Sequence, residues 1–244
     1  MIGRLICCAM LVGVIGCASS NESLPKYPRM SEAESIRAIA SRAKKTNSVT
    51  SEGLITLRDS AGQTVRLDCV IVMRLPNELR LRAWKFGQAV FDLTLTSQGA
   101  WLIAPDDPER KAQVQTAGVS AAKLARTWSV LAGGFFDDPN VKVVKSSGRR
   151  LDVSKVDENG LTISCEIDRP TLTPRKYRMI DEKGTTRFTL TLDHYAQFGD
   201  NVWPRRVVAI SDRGEIDIDL KSIEINGEIP EQAFKPPKRA EKLP

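Results

Sequence analysis

Few side chains in this sequence are of kinds that do chemistry, and their spacing decides between a reaction and an attachment. Five cysteines, at positions 7, 8, 17, 69 and 165, stand beside a single histidine, His194. A histidine-based zinc site or catalytic triad needs that histidine beside other ligands or a nucleophile. Neither H-E-x-x-H nor G-x-S-x-G occurs, and no C-x-x-C follows residue 17. Within "LDHYAQFGD", His194 reads as a loop residue at a strand end. Asp106-Asp107 and Asp137-Asp138 lack the spacing of a calcium loop and read as solvated turn carboxylates. The sequence therefore predicts a non-enzyme, with no catalytic residue, no metal site and no cofactor.

The remaining chemistry is at Cys17. Arg4 precedes the apolar run "LICCAMLVGVIG", Leu5 to Gly16, which is shorter than the roughly 20 residues a membrane-spanning helix needs. Residues 1–16 thus read as an export signal, and "VIGC" at 14–17 resembles the bacterial lipobox, in which the cysteine is cut at its amino side and lipidated. An ordinary signal peptide cut near Ala18, or a short membrane anchor, are the alternatives. Two or more acyl chains would hold the chain stably on a membrane, since each buried methylene contributes about 0.8 kcal/mol. Residues 17–30, polar and with Pro25 and Pro28, read as a flexible tether. Cys69 and Cys165 fall on apolar strand positions and read as two buried thiols, with a disulfide as the alternative in an oxidising compartment. The net charge of +6 is spread along the chain, with a modest concentration in "KPPKRAEKLP", so nucleic acid is not an expected partner.

The elements that must carry these residues follow from hydrophobic period. Ser31-Glu32-Ala33-Glu34 has the capping-box pattern, and Ile36, Ile39, Ala40 and Ala43 follow at helical spacing. After Asn47 the period becomes two. Val65, Leu67, Cys69, Ile71, Met73 and Leu75 share one parity, continued by Leu79, Leu81 and Ala83, then by Ala89, Phe91, Leu93 and Leu95. Leu161 to Ile167 and Phe188 to Leu192 repeat it, and Ile216, Ile218 and Leu220 switch parity to Ile223 and Ile225, predicting a bulge near Lys221-Ser222. Turn signals such as "DSAGQ", "ENG" and "DEKG" join the runs as hairpins. The prediction is a mainly β (α+β) chain with about ten or eleven antiparallel strands, one apolar face, and a mid-chain helix capped by Ser120 with the stripe Ala121, Leu124, Ala125, Trp128 and Leu131. Phe135-Phe136, after it, reads equally as a buried anchor or an apolar tip at the cavity mouth. Arg80 and Arg82, opposite the apolar parity, read as the solvent face. A sheet this wide twists and curls, because neighbouring strands rotate by roughly 20 degrees, so its apolar face turns inward toward a pocket or a filled core.

This order of parts, with "LPNELRLRAW" as a second hairpin and the ending Ile225-Asn226-Gly227-Glu228-Ile229-Pro230 followed by Phe234, resembles the LolA/LolB-like lipoprotein-carrier superfamily. The resemblance implies a curled antiparallel half-barrel with a helical lid over a hydrophobic cavity, formed as one domain over residues 31–235, with residues 236–244 as a basic disordered tail. It also implies acyl chains or lipoproteins as cargo and a periplasmic carrier protein as partner. The anchored, monomeric chain would face the periplasm from the outer membrane. Leu67, Ile71, Leu79, Leu81, Phe91, Leu93, Phe188 and Leu190, with Leu124 and Trp128 of the mid-chain helix, would line the cavity. The hairpin tip "WKFGQ" places Trp84 and Phe86 on the parity opposite the apolar face, beside Lys85, as a membrane contact. A non-transporting structural or stress-sensing lipoprotein acting through protein contacts is the alternative. Cys17→Ala should yield a chain with no acyl group on its N-terminus and a changed membrane fraction, checked by mass spectrometry of the N-terminal peptide and by fractionation.

Overall fold

The computed structural model describes residues 24–103, 127 and 129–243. The expectations for the signal segment, Cys17, Asp106, Asp107, Ser120, Leu124 and Trp128 lie outside the described residues. Helix α1 (Glu32–Ala43) precedes β1 (Ser48–Asp59), β2 (Thr64–Arg74), β3 (Glu78–Lys85), β4 (Gln88–Thr96) and β5 (Gly99–Ile103). The chain then runs through β6 (Lys142–Ser146), β7 (Arg150–Val156), β8 (Thr162–Asp168), β9 (Thr173–Ile180), β10 (Thr186–Phe198), β11 (Asn201–Ser211), β12 (Gly214–Ile225) and β13 (Glu241–Lys242). All join one sheet in the order β13-β5-β4-β3-β2-β1-β12-β11-β10-β9-β8-β7-β6. The sheet is antiparallel throughout and not closed, and β13 and β6 are its edges.

α1 begins as its sequence dictates. The Ser31 amide donates to Glu34 Oε2 at 2.8 Å, and the Glu34 amide donates to Ser31 Oγ at 3.3 Å, the reciprocal pair that satisfies two orphan donors. Its inward face buries Ser35, Ile39 and Ala40. Within the sheet the period-two parity is the core: Leu67, Cys69, Ile71, Met73, Leu79, Leu81, Phe91, Leu93, Leu190 and Ile218 belong to one buried cluster. Asp59, Asp157 and Asp181 shape three hairpins, each accepting two backbone N–H groups of its own turn through one carboxylate oxygen.

Thirteen strands form where ten or eleven were expected. The additional strands lack alternation: β6 reads "KVVKS", β9 "TPRKYRMI" buries only Thr173 and Tyr177, and β13 has two residues. β13 also corrects the expectation of a disordered tail. Glu241 and Lys242 pair with Leu102 and Trp101, and the Leu243 amide donates to the Ala100 carbonyl at 2.8 Å. Part of the tether is likewise docked: the Tyr27 amide donates to the Pro170 carbonyl at 2.8 Å, and Arg169 Nη2 donates to the Met30 carbonyl at 2.6 Å. A bulge between Ala83 and Trp84 in the β3–β4 ladder leaves Val90 extra, which turns Ala89 out to solvent against its sequence parity.

Two meanders, β1–β5 and β6–β12, meet in one long ladder between β1 and β12. Its register slips between Glu52 and Gly53, pairing Glu52 with Ser222 and Gly53 with Leu220, so Lys221 is the bulged residue. Gly53 is required there: a Cβ on it would stand 2.1 Å from the Asp219 carbonyl oxygen. Gly53→Ala should force the ladder apart and lower stability by about 2–4 kcal/mol, within the range for overpacked interiors and strained backbones. A drop in urea midpoint without a change in slope measures it.

Candidate apolar binding site

The chain leaves β5 near one edge of the sheet and enters β6 at the other. The described part of that connection, residues 129–137, lies over the buried face beside α1. Contact is close: Gly133 has φ +79°, and a Cβ there would stand 2.2 Å from Ala43 Cβ. Phe135 and Phe136 are buried rather than exposed, and meet each other and Tyr177 edge-on, with centroids 5.2, 5.6 and 6.5 Å apart. The pair is a buried anchor, and each of its rings also walls one of two recesses.

Two apolar recesses flank the anchor. One, of about 120 Å³, lies between Val130, Gly134 and Phe135 on one side and Ile163, Tyr177, Met179, Phe188 and Leu190 of β8, β9 and β10 on the other. The second, of about 50 Å³, lies among Ile39, Ala43, Leu131, Phe136, Tyr195 and Trp203. Cavities of about 150 Å³ with apolar linings stay dry and take up benzene, so the larger recess suits a group of that size or the end of an apolar chain. Lys155 marks its rim. The ammonium bonds Asp138 Oδ2 at 2.8 Å and stands 5.5 Å from the Phe135 ring centre. That bond, first, and the Asn140 amide, next, hold the Asp138 carboxyl below its ordinary range. Tyr177 lines both recesses, and its buried hydroxyl faces the Cys165 thiol.

The residues expected to line a cavity divide. Phe188 and Leu190 line the larger recess, whereas Leu67, Ile71, Leu79, Leu81, Phe91 and Leu93 are buried in the shared core and line neither recess. Ile163, Met179 and Tyr177 were not singled out from sequence. Ile163 sits in an alternating run and was readable in principle; Met179 and Tyr177 lie in a strand without apolar alternation.

Outside the core, Phe86 is 92% exposed at φ +51°, with Lys85 Nζ 5.6 Å from its ring centre, and Trp84 is half-buried. The solvent-face reading fails for Arg80. Its side chain is 19% exposed, it grips both oxygens of Asp92 at 2.9 and 2.7 Å, and its Nη1 donates to the Ala233 carbonyl at 3.0 Å. Arg74 does the same one strand away, donating to the Ile229 carbonyl at 3.0 Å and lying 5.0 Å from the Phe234 ring centre. Residues 229–234 thus form a strap across the outer face of β2, β3 and β4, which explains why Asp92 and Phe234 are buried. Arg82 stays open to solvent.

Of the two acidic pairs expected as solvated turns, the described one, Asp137-Asp138, is ion-paired instead. Asp137 bridges Lys44 at 2.9 Å and Asp138 bridges Lys155, so they staple the connection to α1 and β7. His194 stands inside β10, exposed at φ +50°, rather than in a loop. No group of His, Cys, Asp and Glu among the described residues could hold a metal ion, and no helix among them is long and apolar enough to cross a membrane.

No family model matches this sequence, and no curated protein matches it either. Solved structures do. A putative outer membrane lipoprotein-sorting protein domain from Vibrio parahaemolyticus aligns at TM-score 0.57 and 13% identity, over 83% of this chain and 95% of its own. A DUF1329 family protein from Desulfovibrio piger aligns at TM-score 0.62 and 9% identity, over 84% and 98%. A LolA superfamily protein from Nitrosomonas europaea aligns at TM-score 0.52 and 8% identity, over 82% and 97%. The chain has a LolA-like fold.

Cys69 and Cys165 are free and buried. Burial pushes the Cys69 thiol up to about 12 and the Cys165 thiol well above its ordinary value. Thiolate is the reactive form, so neither thiol should react with a disulfide reagent at about pH 8 while the chain is folded. Both should react together on unfolding. A thiol titration with and without denaturant checks this.

Proposed function

We propose that this chain is a cell-envelope protein, held to a membrane through a lipidated Cys17, which binds acyl chains or the acylated part of lipoproteins and takes part in their passage to the outer membrane. The observation that carries the reading is the apolar recess between residues 129–135 and β8–β10, set in a LolA-like fold with an open sheet. In this reading the sheet is a curled half-barrel, covered over β8–β10 by residues 129–135. A chain end enters between Phe135 and Phe188 and loses its contact with water, the process that supplies nearly all of the driving force for an apolar guest. Lys155 at the rim offers a donor to a carboxylate, ester or phosphate oxygen near that chain end, in exchange for Asp138. No bond is made or broken, and no cofactor is needed. The exposed ring of Phe86 beside Lys85, with Trp84 at its base, is the lipid-contact point of this reading, since an aromatic ring next to a cation suits the boundary between lipid and water.

The function is tested by what the purified chain carries and what blocks it. Mass spectrometry of the protein extracted from its native envelope should find lipid bound in stoichiometric amount, beyond the covalent acyl groups. Ile163→Trp, at a half-buried wall of the recess, should lower the affinity for a fluorescent fatty acid at least tenfold while costing about 1–3 kcal/mol in stability, the range for an overfilled apolar site. Unchanged affinity in a folded variant would remove the recess from the binding site.

A further inference from the structure

The alternation of an antiparallel meander sorts the turns into two poles. The β8–β9 turn shares a pole with the β2–β3, β6–β7 and β10–β11 turns; the β3–β4, β7–β8 and β9–β10 turns lie at the other. The incoming chain is docked at the first pole, where Tyr27 bonds Pro170 and Met30 bonds Arg169, whose amide in turn donates to the Arg149 carbonyl at 3.0 Å. Exposed Lys26, Arg29 and Arg149 surround that docking point, and Arg150 beside them is paired with Asp152 and Glu166. Among the described residues, Glu32 is the exposed acid nearest in sequence to Lys26 and Arg29, and Glu34 is bound to Ser31. Asp168 of the same turn is engaged by Thr171. The second pole holds the Phe86 tip, and the lining residues Lys155, Ile163, Met179 and Phe188 all lie in the halves of β7, β8, β9 and β10 nearest to it.

We infer that the first pole rests on the surface of the membrane that holds the protein, with Lys26, Arg29 and Arg149 against anionic phospholipid headgroups, and that the recess and Phe86 face away from that membrane. The inference rests on the reading of Cys17 as the anchor. From Cys17 to Tyr27, the first docked residue, the chain spans at most about 36 Å when fully extended, which bounds the distance of the docked end from the lipid surface. Its side chains carry the charge sign that anionic headgroups attract within a Debye length. The recess then receives an apolar chain from the side opposite its own membrane, and Phe86 meets incoming lipid rather than the anchoring bilayer.

The test uses the full lipidated chain in vesicles of phosphatidylethanolamine and phosphatidylglycerol bearing an acceptor dye on the headgroups. A donor dye is placed on Gly148→Cys at the first pole, where a side chain meets nothing within 4 Å, or on Glu158→Cys at the second. The native Cys69 and Cys165 are buried and stay unlabelled. Flotation comes first: a chain that does not float with the vesicles overturns the Cys17 reading, and the orientation with it. For a chain that floats, the expected transfer efficiency from position 148 is at least threefold that from position 158. An equal or reversed ratio overturns the orientation alone. The triple variant Lys26→Glu, Arg29→Glu, Arg149→Glu, and vesicles of phosphatidylcholine only, should each at least halve the ratio. A ratio unmoved by both overturns the role of the headgroups.

Discussion

The β1–β12 ladder is the interaction on which the rest of the molecule depends. Every other neighbouring pair of the two meanders is joined by a hairpin or a short turn and closes little loop entropy. β1 and β12 are separated by most of the chain, and their pairing alone turns two sheets into one. The ladder tolerates no side chain at Gly53 and absorbs Lys221 as a bulge, so backbone approach sets the register there. Once that register is set, α1 reaches over the β9–β11 side, Gly133 meets Ala43, and the two phenylalanines of the connection find Tyr177.

The two meanders are covered differently. The first meander is packed on its apolar face and strapped on its outer one through Arg74, Arg80 and Asp92. A bidentate arginine–carboxylate pair this poorly exposed is held by geometry as well as charge. The second meander is covered by residues 129–137 and α1, pieces of chain rather than a second sheet, and the two recesses described above lie beneath them.

The elements of regular period were legible in the sequence. The Ser31–Glu34 cap, the parity of Leu67 to Ala83 and the bulge at Lys221 all follow from residue type and spacing, because each is decided by neighbours within a few residues. The strap and the recess were not. Arg80 reads as a surface residue until Ala233, 153 residues later, is laid across it. Phe91 and Leu93 look as suited to a cavity as Phe188 and Leu190; that residues 130–135 wall a recess against the latter pair is a tertiary fact no local spacing carries. β13 was hidden for a simpler reason, since two residues of a basic segment carry no pattern at all.

The strap has a consequence for how the molecule lives among copies of itself. Open sheets invite edge-to-edge growth. At one edge, β6 is bulged at Val144 and carries Lys142 and Lys145, which discourage a flat partner. At the other, β5 has no such defence and is occupied by β13, a two-residue piece of the same chain joined to Phe234 by a short linker. A segment on so short a leash has an effective concentration in the millimolar range. A foreign strand therefore competes for β5 against a resident that leaves and returns without ever diffusing away, and two residues suffice where a free peptide of that length would bind nothing.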